Sequence, residues 1–446
     1  MTLNERLTNV AVLGAAGKMG SGIALLLANE MTLQKLLPEN RGKRYELNLI
    51  DINPQMLEGL LRYLKTQAVK MAEKNIVGLR ELYRERGDLV ENQEIIQQFI
   101  DDLNVSLRPS ADLNSAGNAR MVFEAIVENA DVKVGVLKKL NELCAKDTLF
   151  FTNTSSIPIG YLNENAGLKG RIIGYHFYNP PAVQKLVELI SPEGVLPELK
   201  ETGLELGKRL RKIIIPANDK AGFIGNGHFM RDGLHAISQL DVLQKEASHI
   251  QSIYIMNRIS QDFLIRPMGI FQLIDYVGVD VFQSILKTMQ PYFPDENLHS
   301  KLIDRMVEKK VLGGQNPDGS QKDGFFKYEK NRPVAVYDPE KSAYVSFEEG
   351  DWKLKADQWI GNPPTSWVAW KNLLRDPQKD AKLSAYFSSL NSEKSFGARL
   401  AMSYLARSKE IGQKLVAEGV AHSADDVNGV LLNGFYHLYG PVNNFV

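Results

Sequence analysis

Val10-Ala-Val-Leu13-Gly14-Ala-Ala-Gly17-Lys18-Met19-Gly20 is the stretch on which the reading of this chain turns. Four apolar residues stop at a glycine, as a strand buried in a parallel sheet does. Gly20 to Asn29 then reads as a helix with small residues at its start. Glycines between a strand and a helix let the backbone turn tightly and approach a pyrophosphate, which meets the positive helix end. The spacing Gly-x-x-Gly-x-x-Gly is one residue longer than the usual Gly-x-Gly-x-x-Gly, so the turn geometry must differ, and a glycine-rich helix start with no ligand is the alternative. Further along, Glu46-Leu-Asn-Leu-Ile-Asp51 reads as a second strand that ends on an acid. A carboxylate there accepts from an adenosine ribose and repels a 2′-phosphate, which favours NAD over NADP. The expected dinucleotide contacts are Gly14, Gly17, Lys18, Met19, Gly20 and Asp51. The interval from Gly20 to Asp51 is long, which points to an extension around Met31 to Lys43.

The same pattern repeats along the first half. Arg120 to Val127, Thr148 to Thr152 and Arg171 to Tyr175 are apolar runs, and Val132, Val136, Leu137, Leu140 and Leu143 fall at helical spacing. Strands alternating with helices predict a parallel, doubly wound sheet, with ligands beyond the carboxyl ends of its strands. After about Ala217 the pattern turns helical, over Ile224 to Leu243 and Ile250 to Leu264. Pro333 to Tyr337 and Ala343 to Phe347 flank Asp338-Pro339-Glu340-Lys341 as a hairpin whose turn is fixed by proline. Gly313 to Asp323 is expected to be a mobile loop. The fold class is therefore an α/β Rossmann-type domain followed by all-α structure with an inserted hairpin. The expected division is 1–216, 217–305, 306–390 and 391–446.

Composition narrows the function classes. Of 446 residues, 44% are hydrophobic and 24% charged, as in ordinary globular chains, and 53 basic residues balance 53 acidic ones. No net field favours nucleic acid or an anionic membrane. Arg6 and Val10 to Ala28 could imitate a signal peptide, but Lys18 and the glycines break the run, so none is expected and the chain reads as cytoplasmic. A single cysteine, Cys144, cannot form an internal disulfide, and no metal site is expected.

Two polar stretches sit where ligands are expected. Thr152-Asn-Thr-Ser-Ser156 ends one strand with five polar residues. Tyr175-His-Phe-Tyr-Asn-Pro-Pro181 ends the next with a histidine and turns on two prolines. Leu186-Val-Glu-Leu-Ile190 then buries Glu188 within an apolar strand, and an acid there needs a partner. The turn lets Glu188 face His176. A carboxylate on one imidazole nitrogen fixes the tautomer and stabilises the imidazolium formed on proton abstraction. A purely structural His–Glu pair in the core is the alternative.

Phe123-Glu-Ala-Ile-Val-Glu128, Thr152 to Ser156, His176-Phe-Tyr-Asn179-Pro and Lys185-Leu-Val-Glu188 together resemble the L-3-hydroxyacyl-CoA dehydrogenases in order and spacing. Ala221-Gly-Phe-Ile-Gly-Asn226 is similar to the start of that family's helical domain. The resemblance implies that His176 is the general base for NAD-dependent oxidation of a 3-hydroxyacyl-CoA and Glu188 its orienting partner. It implies that Ser155 and Asn226 contact the reacting oxygen and the nicotinamide region, and that Glu128, Lys133 and Asn153 lie at the cofactor. Glu128 and Lys133 read otherwise as a solvated pair at a helix start. Asn179 is expected at the substrate. Lys74 stands near the spacing of a CoA-phosphate lysine, with Lys65 and Lys70 as rivals and a solvated helix face as the alternative. Three departures stand out: the extra residue in the glycine turn, Thr152 in place of the usual serine, and Gly227 in place of the usual arginine. Beyond the first helical domain, Leu405 to Gly419 and Gly434 to Gly440 resemble a second copy of it, as in the multifunctional fatty-acid oxidation proteins. An acyl-CoA substrate and a monomer or homodimer follow from this reading. Its rivals are a dehydrogenase of a 3-hydroxy acid or sugar acid without CoA, and a catalytically silent scaffold.

Overall fold

The apolar runs become strands in a computed structural model that describes residues 1–316 and 319–446. The chain divides into two units, Met1–Asp219 and Lys220–Val446. The first is built on β1 (Asn9–Leu13), β2 (Glu46–Ile50), β3 (Leu107–Ser110), β4 (Met121–Glu124), β5 (Leu149–Thr152), β6 (Ile172–Phe177), β7 (Leu186–Ser191) and β8 (Ile213–Asn218). They form one sheet in the order β3-β2-β1-β4-β5-β6-β7-β8. From β3 to β6 all pairs are parallel, β7 runs antiparallel to β6, and β8 is parallel to β7. The chain leaves β1 towards β2 and β3, then returns to place β4 on the other side of β1. A crevice forms at such a reversal of strand order, beyond the carboxyl ends of the strands.

Helices cover this sheet because its central strands are apolar on both faces. Val10, Val12, Leu47, Leu49, Phe123 and Phe151 are buried in one core, where Phe123 stacks on Phe151 at 4.7 Å and Tyr175 meets Phe151 edge-on at 5.5 Å. The expected extension after the glycine turn is a longer helix, Lys18–Leu36, followed by a single turn at Pro38–Asn40. Two strands were not expected from the pattern: β3 carries Pro109 and β8 carries Pro216.

The second unit is mainly helical. Its helices include Gly225–Leu243, His249–Arg258, Ile270–Val277, Phe396–Ala417 and Ala424–Gly434. The helix expected to run to Leu264 changes at Ile259–Phe263 into a π-helical turn, where the Ser260 hydroxyl donates to the Met256 carbonyl at 2.8 Å. Three short antiparallel strands, β9 (Phe326–Glu329), β10 (Arg332–Asp338) and β11 (Ala343–Ser346), include the expected hairpin. Its turn is held by Asp338 Oδ1, which accepts from the Glu340 and Lys341 amides at 3.0 and 3.3 Å. One apolar core takes residues from every expected segment of this half: Phe229 and Ile274, Phe326 and Val336, Tyr404 and Leu438. Of the loop Gly313 to Asp323, Pro317 and Asp318 lie outside the described residues. Among the described residues, no helix is long and apolar enough to cross a membrane.

Candidate active site

The glycine turn follows β1 directly. Gly14 has φ +68°, and a Cβ there would lie 2.5 Å from the Ala125 carbonyl oxygen; a Cβ on Gly20 would lie 2.0 Å from the Gly14 carbonyl oxygen. Both positions therefore require glycine, one for the turn and one for the close packing of helix on turn. Gly17 is the N-cap of the Lys18–Leu36 helix and supplies no side chain to its amides, and Lys18 and Met19 are the first two helical residues. This cradle fits a pyrophosphate.

Asp51 stands just past β2 and points back at the turn. Its Oδ2 accepts from the Ala16 amide at 3.0 Å and its Oδ1 from the Asn53 amide at 3.1 Å. An ionised carboxylate has about four acceptor sites, so two remain for a ribose diol. The geometry fits NAD: glycine backbone and helix end for the pyrophosphate, and Asp51 for the ribose.

Beyond β4 and β5 a polar cluster closes the strand ends. Glu128 Oε1 accepts from the Thr154 hydroxyl at 2.6 Å, from the Ser155 and Ser156 amides at 2.9 and 3.2 Å, and from the Ser156 hydroxyl at 3.1 Å. Burial pushes the Glu128 carboxyl up, but Lys133, Thr154 and the Ser155 amide outweigh it, and the group lies below its ordinary value. Lys133 is 1% exposed, its ammonium 2.7 Å from Glu124 Oε1 and 3.2 Å from Glu128 Oε2. Desolvation favours its neutral form, yet the two carboxylates outweigh this and raise its pKa. Lys133 is thus no solvated helix-start residue but the buried counter-ion of the cluster. Ser155 sits against Glu128, its hydroxyl 3.4 Å from Oε1.

Asn153 ties this cluster to the next strand, its Oδ1 accepting from the Phe177 amide at 2.9 Å. One residue earlier stands His176, directly opposite Glu188 in the β6–β7 register. Their Nδ1 and Oε2 lie 2.9 Å apart; Glu188 is fully buried and His176 is 8% exposed. A carboxylate that is ionised only accepts, and facing one the neutral imidazole takes the tautomer with the hydrogen on Nδ1 and the lone pair on Nε2. Tyr178, which the sequence reading left without a role, donates its hydroxyl to the same Oε2 at 2.8 Å. The motif itself could have flagged it: residues two apart on an extended chain share a face.

The remaining expected residues are more dispersed. Asn179 begins the turn after β6, and its bond to Pro180 is cis. Asn226 lies in the first turn of the Gly225–Leu243 helix of the second unit. Lys74 ends the exposed face of the Pro54–Lys74 helix, which begins beside Asp51. At about 1.5 Å per residue, this helix places Lys74 roughly 30 Å from that end. Lys65 and Lys70 are exposed on the same helix, nearer to it.

A doubly wound sheet with a glycine turn, an aspartate that meets this turn from the end of the next strand and a buried His–Glu pair is the arrangement of a dinucleotide-dependent oxidoreductase. The profile for the 3-hydroxyacyl-CoA dehydrogenase NAD binding domain matches residues 9–220, and that for the C-terminal domain of the same family matches residues 241–323. The chain belongs to the 3-hydroxyacyl-CoA dehydrogenase family and is an NAD-dependent oxidoreductase. It is similar to a probable 3-hydroxyacyl-CoA dehydrogenase of Caenorhabditis elegans, 25% identical over 328 residues that cover 73% of this chain and 97% of that protein. A glyoxysomal fatty acid β-oxidation multifunctional protein of Cucumis sativus is 25% identical over 435 residues, 97% of this chain and 49% of that one. Among solved structures, the 3-hydroxybutyryl-CoA dehydrogenase of Escherichia coli K12 shares the fold over 98% of this chain and 90% of its own, with a TM-score of 0.64 at 20% identity.

Proposed function

We propose that this protein interconverts an L-3-hydroxyacyl-CoA and the 3-oxoacyl-CoA, with His176 as general base. The observation that carries this reading is the His176–Glu188 pair, 2.9 Å apart with the carboxylate fully buried, one residue from Phe177, whose amide donates to Asn153. NAD, when bound, supplies the acceptor for the hydrogen that leaves C3 as hydride. The 3-hydroxyl proton passes to His176 Nε2 as the carbonyl forms, and Glu188 stabilises the resulting imidazolium. In the reverse direction the imidazolium returns that proton to the oxygen. Ser155, held by Glu128, and Asn226 are assigned to the reacting oxygen and the nicotinamide region, and Glu128 and Asn153 to the nicotinamide side of the crevice. Asn179 is assigned to the substrate. Lys74 keeps the CoA phosphate as its proposed contact, in competition with Lys65 and Lys70.

Turnover of acetoacetyl-CoA, followed by nicotinamide absorbance with NADH and with NADPH, tests this. Expected are turnover with NADH, discrimination against NADPH by Asp51, and a loss of about a hundredfold or more in His176→Ala. Cofactor binding without turnover of any acyl-CoA would overturn the CoA substrate in favour of a free hydroxy acid. Absence of both would leave a silent scaffold.

The cytoplasm remains the proposed location. A reducing compartment suits Cys144, a buried thiol that desolvation pushes up to about 11. The cucumber relative is named as glyoxysomal.

A further inference from the structure

Glu188 is fully buried, and one of its oxygens receives two side-chain donors. His176 Nδ1 lies 2.9 Å from Oε2, and the Tyr178 hydroxyl donates to that same atom at 2.8 Å. The Tyr178 ring stands 4.9 Å from the imidazole, tilted by 41°. Behind it the turn is anchored by Lys212, whose ammonium donates to the Pro181 and Gln184 carbonyls at 2.5 and 2.6 Å and lies over the Phe177 ring at 5.8 Å. The phenol is thus part of a held structure. From the neighbouring strands, Glu188 faces His176 out of β7, Ile215 stands opposite Glu188 on β8, and Lys212 lies behind Phe177.

We propose that Tyr178 is a positioning residue that sets the proton affinity of His176 through their shared carboxylate. The inference rests on the dehydrogenase reading of this site. While His176 is protonated, the imidazolium neutralises Glu188. Once the proton leaves Nε2 the imidazole is neutral, and the buried carboxylate holds its charge through neutral donors, a state that each such donor stabilises. The Tyr178 hydroxyl is such a donor, so it favours release of the proton. Without it the pair would hold the proton to higher pH, making the histidine a worse base for oxidation near neutrality. Burial and the adjacent Glu188 raise the phenol well above its ordinary value, so it stays a donor wherever a histidine titrates.

The test is the titration of His176 in the full chain, followed by NMR of the imidazole and assigned through its absence in His176→Asn. In Tyr178→Phe the midpoint should rise by about one pH unit. The acid limb of kcat/KM for oxidation should move upward with it, and the basic limb for reduction should extend to higher pH by the same amount. In Glu188→Gln, which carries no charge to stabilise, adding Tyr178→Phe should no longer move the midpoint. Fluorotyrosine at position 178, a more acidic phenol and a stronger donor, should move it downward in an otherwise native protein. An unshifted midpoint in both the phenylalanine and fluorotyrosine proteins overturns the proposal, as does an equal shift in the Glu188→Gln background. The NMR midpoint needs no turnover, so a shifted midpoint in a protein that reduces no acyl-CoA would sink the acyl-CoA reading and leave the coupling of Tyr178 to His176 standing.

Discussion

At the scale of single residues, the site depends on charges that are buried only because they are matched. Lys133 shows the cost of a mismatch. Its ammonium and Glu124 are each 1% exposed and 2.7 Å apart, while Glu124 Oε2 also accepts from the Thr152 hydroxyl at 2.6 Å. Thr152, in place of the family's usual serine, thus keeps a hydroxyl where this carboxylate needs one. Replacing the lysine leaves two carboxylates facing each other without their cation, and breaking a buried pair costs about 3–5 kcal/mol. Lys133→Met should therefore lower the midpoint of thermal unfolding strongly. NADH binding, titrated below that midpoint by fluorescence, separates the two roles open to this residue. A purely structural brace predicts lost stability with near-normal cofactor affinity. Weakened binding at unchanged stability would return Lys133 to the cofactor.

At the scale of elements, the strands that could be read from the sequence are those buried on both faces. β1, β2, β5 and β6 announce themselves as apolar runs, and the polar residues ending β5 and β6 announce the ligand side. β3, Leu-Arg-Pro-Ser, gave no such signal, and β8 gave only Ile213 to Ile215 before Pro216 cut the run short; the sheet order places both at its edges. Edge strands tolerate proline and exposed polar residues, which Pro109 and Pro216 illustrate. The His176–Glu188 pairing was legible because a two-proline turn between two apolar runs implies that the chain doubles back. For Tyr178 the alternation of the strand gave its side, shared with His176, but not its bond to Glu188, which depends on a single hydroxyl reaching across that turn. β9 was also missed, and it is held from outside its own sequence. The Asp275 carboxylate, on the Ile270–Val277 helix, receives the Phe325 and Phe326 amides at 2.6 and 2.9 Å and the Tyr328 hydroxyl at 2.9 Å. The Gly314 amide and the Gln321 side-chain amide donate to the Asp275 carbonyl at 2.7 and 2.9 Å, which ties described parts of the glycine-rich loop to the same helix. Asp275→Ala would strand three donors, each costing about 1–3 kcal/mol if buried without a partner. Hydrogen exchange should then show the Phe325 and Phe326 amides opening far faster than those of the Gly225–Leu243 helix. Equal protection in variant and native protein would mean that β9 is held by its apolar contacts alone.

At the scale of the whole molecule, the suspected second helical copy bears on how the chain assembles. The apolar face of the Gly225–Leu243 helix, with Phe229, Met230, Ala236 and Leu240, shares one core with Ala398, Ala401 and Leu405 of the Phe396–Ala417 helix. A polar network crosses the same contact. Arg266 pairs with Asp232 at 2.8 Å, Tyr404 donates to Asp232 Oδ2 at 3.0 Å, and Arg266 donates to the Ser408 hydroxyl at 3.1 Å. Arg266 and Tyr404 hold Asp232 down to about 2 although burial pushes it up. Such a contact between halves far apart in sequence could not be read residue by residue. A helix whose apolar face is already covered by its own chain has little left to offer a second subunit through that face. We therefore expect light scattering to give the mass of one chain. If dimers form, cross-links should avoid the Gly225–Leu243 helix. Replacing Leu405 by a charged residue should expose the covered face and promote association or unfolding, since it places an unpaired charge in the shared core. An obligate dimer cross-linked through the Gly225–Leu243 helix of the native chain would show that the second half does not stand in for a partner subunit.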